Sequence, residues 1–376
     1  MAGPLSGVRI IEFAGLGPGP FCAMMLADHG AEVIRIDRKG GGDMLQGPLL
    51  RSRKSIVIDI KAPAGASLAR ELVRSADGLI EGFRPGVMER LGLGPDVLLK
   101  DNPKLVYGRM TGWGQTGPLA HAAGHDINYI AVSGALSTCG RAGDKPTPPV
   151  NYLGDFGGGG MMLAFGMTAA MLAVKNGAPG QVIDCAMTDG SAALTAMTWG
   201  FYNLGVWKDA HGVNMLDTGA HFYEVYETRD GKWISVGAIE PQFYAQLRRK
   251  LGLEDDADFD AQHDRERWPS LKERLAALIR TRNRAEWDAI FEGTDACVAP
   301  VLSLREAPVH PHNAARGTFI EVGGETQPAP APRYSATATD PPRPPAPAGA
   351  QTDEILSRIG KTRAEIDALR AAGVVA

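Results

Sequence analysis

The apolar positions of the first 111 residues fall into short β-branched runs separated by helical periods. Residues 8–14, 32–37, 55–60, 78–83 and 104–111 read as buried strands. Helical patterns cover 21–29, stopped by Gly30, and 63–76, with Pro63 in the first turn; a short helix carries Arg90. Alternation of this kind predicts an α/β fold with an open parallel sheet. The loop from Gly40 through Gly41, Gly42 and Asp43 is expected to be mobile.

Beyond the fifth strand comes a Gly-rich connection, then a helix starting at His125 or Asp126 and running through Val132. Residues 157–174 are strongly apolar and open with four glycines; they read as a core or subunit-interface helix, too short and too Gly-interrupted to span a membrane. A strand at 181–186 leads to a helix capped by Thr188-Asp189 and reaching about Leu204. The runs 221–228 and 232–239 flank Arg229-Asp230-Gly231 as a hairpin, and Glu240 opens a helix. Amphipathic helices at 268–281 and 284–293 and a strand at 295–304 follow, then a Pro-rich strap and a charged helix at 352–372. The expected organisation is a large domain over 1–205, a linker at 206–220, a small α+β domain at 221–315, a linker and strap at 316–350, and a C-terminal helix at 351–376 returning to the large domain.

Composition narrows the function. A net charge of −4 over 376 residues, with no Lys/Arg-rich run, argues against a nucleic-acid binder. The four cysteines stand far apart without C-x-x-C spacing, which points to reduced structural thiols. With no secretory signal, the expected location is cytoplasmic, an organelle staying open. The final V-V-A matches no targeting address. No metal motif, P-loop or G-x-S-x-G occurs.

The first strand–loop–helix tempts one toward a dinucleotide site, with Gly15-x-Gly17 and Asp37. Pro20 holds the place of the third glycine, and Pro18 and Pro20 remove amides that would cradle a pyrophosphate. The strand ends instead carry Arg38, Lys61, Arg84 and, just beyond, Arg90. One such group is ordinarily a solvated cation; four at one sheet edge read as an anion site. His125, between a loop glycine and Asp126, is placed for proton transfer near helix-terminal amides, although a lone His is more often structural. Asp155 precedes four glycines. It is either an N-cap or the second of two bases facing one substrate. Glu240 either caps its helix or orients His125.

Seven segments carry a resemblance: M-A-G-P-L-S-G at the start, R-I-D-R (35–38), G-F-R-P-G (82–86), R-M-T-G-W-G-Q-T-G-P (109–118), G-H-D-I-N-Y (124–129), G-D-F-G-G-G (154–159) and A-I-E-P-Q-F-Y (238–244). Over nearly its full length the chain resembles the alpha-methylacyl-CoA racemases of the class III CoA-transferase (formyl-CoA transferase-like) superfamily. The resemblance implies a Rossmann-like large domain, a small domain, and an interlocked homodimer with shared sites. It implies catalysis by His125 and Asp155, with Glu240 supporting the His. The CoA contacts carry over to Arg38, Ile58, Asp59, Ile60, Lys61, Gly82, Phe83, Arg84, Arg90, Gly124, His125, Asp126, Ile127, Asn128 and Tyr129; Phe83 stands where Tyr is common. The implied reaction interconverts (2R)- and (2S)-2-methylacyl-CoA through an enolate. CoA is carried by the substrate, and neither a separate cofactor nor a metal is implied. The rival is a CoA transferase with Asp155 as nucleophile; His125 discriminates, since transferases of this fold do not place a His before that Asp. Met187 and Met215 suit a deformable acyl surface, but such residues are more often plain core.

Overall fold

The structure, a computed structural model, describes residues 2–40 and 44–376; Gly41, Gly42 and Asp43 of the expected loop lie outside the described residues. The chain forms two compact units, one made of Met1–Ser133, Val150–Thr195 and Phe319–Ala376, the other of Gly134–Pro149 and Ala196–Thr318.

The first unit is built on strands β1 (Arg9–Phe13), β2 (Glu32–Asp37), β3 (Lys54–Val57), β4 (Gly78–Glu81), β5 (Val106–Thr111) and β6 (Gln181–Ala186). Helices α1 (Pro18–Asp28), α2 (Pro63–Val73), α3 (Val87–Arg90), α4 (Pro95–Asp101), α5 (Asp126–Val132), α6 (Met162–Lys175) and α7 (Met187–Leu194) connect and cover them. The sheet order is β3-β2-β1-β4-β5-β6 and every neighbouring pair is parallel. Continuous apolar strands suit this arrangement, because helices bury both faces of a parallel sheet. Chain direction along the sheet reverses between β1 and β4. Loops leaving those two strands diverge there and open a crevice, the usual ligand position in such folds.

A π-helical segment, Tyr152–Met161, runs directly into α6. Together they form a helix of 24 residues, Tyr152–Lys175, long and apolar enough by length and composition to cross a membrane. The π-helical turns lengthen the helix ahead of the apolar run expected at 157–174, and a core helix meets the same criterion of length and composition. Its Leu163 and Met167 are buried in the sheet core. Phe165 and Leu172 stand exposed.

The second unit holds α8 (Ala196–Asn203), the antiparallel sheet β7 (Tyr223–Glu227), β8 (Trp233–Gly237), β9 (Val298–Val301), and helices α9 (Pro241–Leu251), α10 (Trp268–Ile279), α11 (Arg284–Phe291) and α12 (Pro311–Arg316). Phe222, Phe259, Trp268 and Trp287 fill its core.

The chain then returns to the first unit through a hairpin, β10 (Phe319–Val322) and β11 (Glu325–Pro328), and helices α13 (Thr352–Arg358) and α14 (Arg363–Ala371). Four expectations change here. The C-terminal helix is two helices, parted at Gly360, whose φ of 86° an L side chain rarely adopts. The helix expected over 188–204 is parted at Thr195. Thr188 does not cap it; its hydroxyl donates to the Gly112 carbonyl. β3 stops at Val57: the Ile58 N–H still donates to the Asp37 carbonyl, but Ile58 also bridges Val375 and Asp59 bonds Val374.

Candidate active site

The crevice between β1 and β4 holds a cavity of about 550 Å³. The turn after β1 supplies Gly15 to Pro20, the turn after β4 supplies Gly82, Phe83 and Arg84, and the end of β5 supplies Thr111 to Trp113. His125 and Asp155 line this same cavity, with Gly124 and Tyr129.

Asp155 sits in the first turn of the π-helical segment, where Asn151 is the N-cap, so the N-cap reading of Asp155 is corrected. The Asn151 side-chain amide donates to Asp155 Oδ2 at 3.0 Å. Burial pushes the Asp155 carboxyl above its ordinary value, the Asn151 hydrogen bond opposing and the Asp126 charge reinforcing it. A methyl group at Gly17 would lie 3.3 Å from Asp155 Oδ2, and Gly17 has φ 62°. The turn after β1 thus brings bare backbone against the carboxylate.

The glycines after Asp155 serve helix packing. A Cβ at Gly158 would meet the Ser191 nitrogen at 2.6 Å, and one at Gly160 would meet the Pro18 carbonyl oxygen at 2.7 Å. Backbone therefore crosses backbone against α7 and α1, and the aspartate is carried between them.

His125 is the N-cap of α5; its backbone N–H donates to Asn128 Oδ1 at 3.1 Å. The following Asp126 is buried. Its Oδ2 accepts the amides of Gly154 at 2.6 Å and Asp155 at 2.8 Å, so the start of α5 is tied to the backbone of Asp155. The Tyr129 ring stands edge-on to Trp113 with centroids 4.8 Å apart, and its hydroxyl donates to the Gly124 carbonyl.

A second cavity of about 690 Å³ lies over the ends of β2 and β3. Arg38, Ile58, Asp59, Ile60 and Lys61 line it, together with Lys39 and Gly373. Gly15, Leu16 and Phe83 line both cavities, so the two meet at these residues. Phe83 is fixed there from below: its N–H donates to Glu81 Oε2 at 2.7 Å, and its ring meets Phe13 edge-on at 6.4 Å. The Arg109 guanidinium, shared between Glu81 and Glu89, holds Glu81 in turn.

Five of the sequence-selected residues line neither cavity. Arg90 ends α3, its Nη1 3.3 Å from where a Cβ on Gly86 would lie. Asp126 acts from beneath, and Ile127 and Asn128 face outward on α5. Glu240 belongs to the second unit, at the N-cap of α9, where its side chain makes no capping hydrogen bond; the capping alternative is corrected. Asn151 and Leu16 were not singled out in the sequence, and Gly17 was noted only as part of a dinucleotide-like turn. Asn151 had a signal, being one helical turn ahead of Asp155, where side chains meet; Leu16 had none beyond its turn.

The chain belongs to CoA-transferase family III, whose profile matches residues 5–352. Within the known proteins it is similar to the alpha-methylacyl-CoA racemase of Mus musculus, 47% identical over 96% of this chain and 95% of that one. The alpha-methylacyl-CoA racemase of Homo sapiens is 46% identical over the same shares. Among solved structures, a CAIB/BAIF family protein from Brucella suis superposes with a TM-score of 0.82 at 23% identity, covering 96% of this chain and 100% of that one. The fold is that of the class III CoA-transferases.

Proposed function

We propose that this protein is an isomerase that interconverts (2R)- and (2S)-2-methylacyl-CoA thioesters by 1,1-proton transfer. The observation that carries the reading is a titratable pair, His125 and Asp155, on one cavity that opens to a second cavity edged by Arg38 and Lys61. The phosphates and adenosine of CoA fit the basic cavity, and the pantetheine arm passes Phe83 to bring the thioester to the pair.

A thioester acidifies its α-hydrogen. One of the pair takes that proton and the C–H electrons become an enolate. The other then delivers a proton to the opposite face, and the thioester is restored with inverted configuration. A buried carboxyl with a raised pKa suits the residue that must hold a proton as well as release one. The 47% identity to a racemase supports this chemistry over acyl transfer through Asp155.

The proposal includes a homodimer. Phe165 and Leu172 on α6 are exposed apolar side chains that a second chain would cover. On the interlocked arrangement, Glu240 is assigned to support the imidazole of His125.

The test is incubation of (2R)-2-methylacyl-CoA in deuterated water. Epimerisation with α-deuterium uptake, and no acyl acceptor required, is expected. Acyl exchange between CoA and a carboxylate without α-exchange would replace this reading with a transferase that uses Asp155 as nucleophile.

A further inference from the structure

We infer that the C-terminal segment from Gly373 to Val375 is a wall of the CoA-nucleotide subsite, holding the Ile58–Lys61 turn and limiting the charge the subsite accepts. The inference rests on assigning the cavity of about 690 Å³ to the nucleotide end of CoA.

The turn is held only in part by the sheet. β3 ends at Val57, the Ile58 N–H still donates to the Asp37 carbonyl at 3.0 Å, and the bonds after it go elsewhere. The Asp59 N–H donates to the Val374 carbonyl at 2.9 Å, and Ile58 pairs with Val375 in an antiparallel bridge. Val374 and Val375 are buried in the sheet's main core, and the Thr352 hydroxyl donates to the Ala376 carbonyl at 2.7 Å. From the other side α2 presses close, since a Cβ on Gly65 would overlap the Asp59 carbonyl oxygen at 1.9 Å. Within the turn, Asp59 Oδ1 accepts the Lys61 amide at 3.1 Å. The position of Lys61 therefore depends on a segment more than 300 residues away in sequence.

Gly373 itself lines the cavity with Arg38 and Lys61. Its φ is 70°, and a Cβ there would meet no atom within 4 Å. A side chain at this position enters open space in a cavity whose lining carries Arg35, Arg38, Lys39 and Lys61 against Asp37 and Asp59, an excess of cations. A carboxylate would oppose the phosphates of CoA, while a neutral amide of the same size would not. Both Asp and Asn tolerate the left-handed conformation, so the pair separates charge from backbone strain.

The test compares Gly373→Asp with Gly373→Asn on two substrates, 2-methylacyl-CoA and the same acyl group on pantetheine, which lacks the nucleotide. Gly373→Asp is expected to raise KM for the CoA ester roughly tenfold, the effect of one like charge at partly screened range, with kcat unchanged. Gly373→Asn is expected to raise it far less, and neither variant to change KM for the pantetheine ester. Lys61→Ala, measured alongside, separates the two levels of the argument. If Lys61→Ala raises KM for the CoA ester and Gly373→Asp does not, the segment is no part of the subsite and the inference is overturned. If neither changes KM, the assignment of this cavity to the nucleotide is wrong, and the inference falls with it. An equal rise for both substrates would mark a general structural defect and overturn it too.

Discussion

Asp126 and Asp155 are joined through backbone: one oxygen of the Asp126 carboxylate accepts the N–H of Asp155 and that of Gly154 before it. The residue following one proposed base thus fixes the position of the other. Asp126→Ala leaves two amides, one buried and one partly buried, without an acceptor, at a cost of about 1–3 kcal/mol in stability. Displacement of the bases by even a fraction of an ångström is expected to lower kcat, by about a hundredfold at the upper end. Asp126→Asn keeps an acceptor and should recover much of the loss. Steady-state racemisation and urea denaturation of both variants check this.

Gly17→Ala addresses the same carboxylate from the opposite side. The added methyl would stand 3.3 Å from Asp155 Oδ2, at a φ of 62°. The left-handed backbone costs about 1–2 kcal/mol with an L side chain. Slower α-proton exchange is expected, with only a modest fall in the thermal midpoint. Unchanged exchange would show that the turn after β1 does not confine Asp155.

The contact of the π-helical segment with α7 predicts a stability defect. A Cβ on Gly190 would lie 1.9 Å from the Gly158 carbonyl oxygen, backbone against backbone. Gly190→Ala must push the two helices apart, costing about 1–3 kcal/mol or more. Differential scanning calorimetry should show a lower midpoint, whereas Gly200→Ala, with nothing within 4 Å of the new methyl, should not.

Acid stability is expected to depend on Glu32. Burial works to raise its pKa but is outweighed by hydrogen bonds from Lys54, Arg9 and Arg358, and the value falls to about 2. An unfolded Glu titrates near ~4.3. The stabilisation is therefore complete above that value and is lost as pH falls toward about 2. Glu32→Gln should be less stable than the native chain at neutral pH and lose less between pH 4 and pH 2, as read by denaturation midpoints across that window.

The sheet was legible because its strands are β-branched runs at βα spacing, and five of them were placed within a few residues. His125 was legible at a helix start because the glycine before it and the aspartate after it mark one, though not specifically as the N-cap. The role of Gly158 was not, since a glycine run is equally compatible with a ligand and with a neighbouring helix; only the approach of α7 decides. The end of β3 at Val57 was hidden for a similar reason. Ile58 and Ile60 keep the apolar alternation going, but Ile58 and Asp59 pair with the far end of the chain, a long-range partner that no local periodicity announces. The break at Thr195 sits in an apolar stretch without Gly or Pro, so no local punctuation marked it.

An aspartate mounted where glycines cross the main chain of α7 and α1 takes its place from backbone atoms, which every substitution shares. Side chains elsewhere on the crevice can then change in size without carrying the carboxylate with them. Such a mounting separates two properties that are coupled in many enzymes: the shape of the crevice becomes free to vary, while the carboxylate keeps its place.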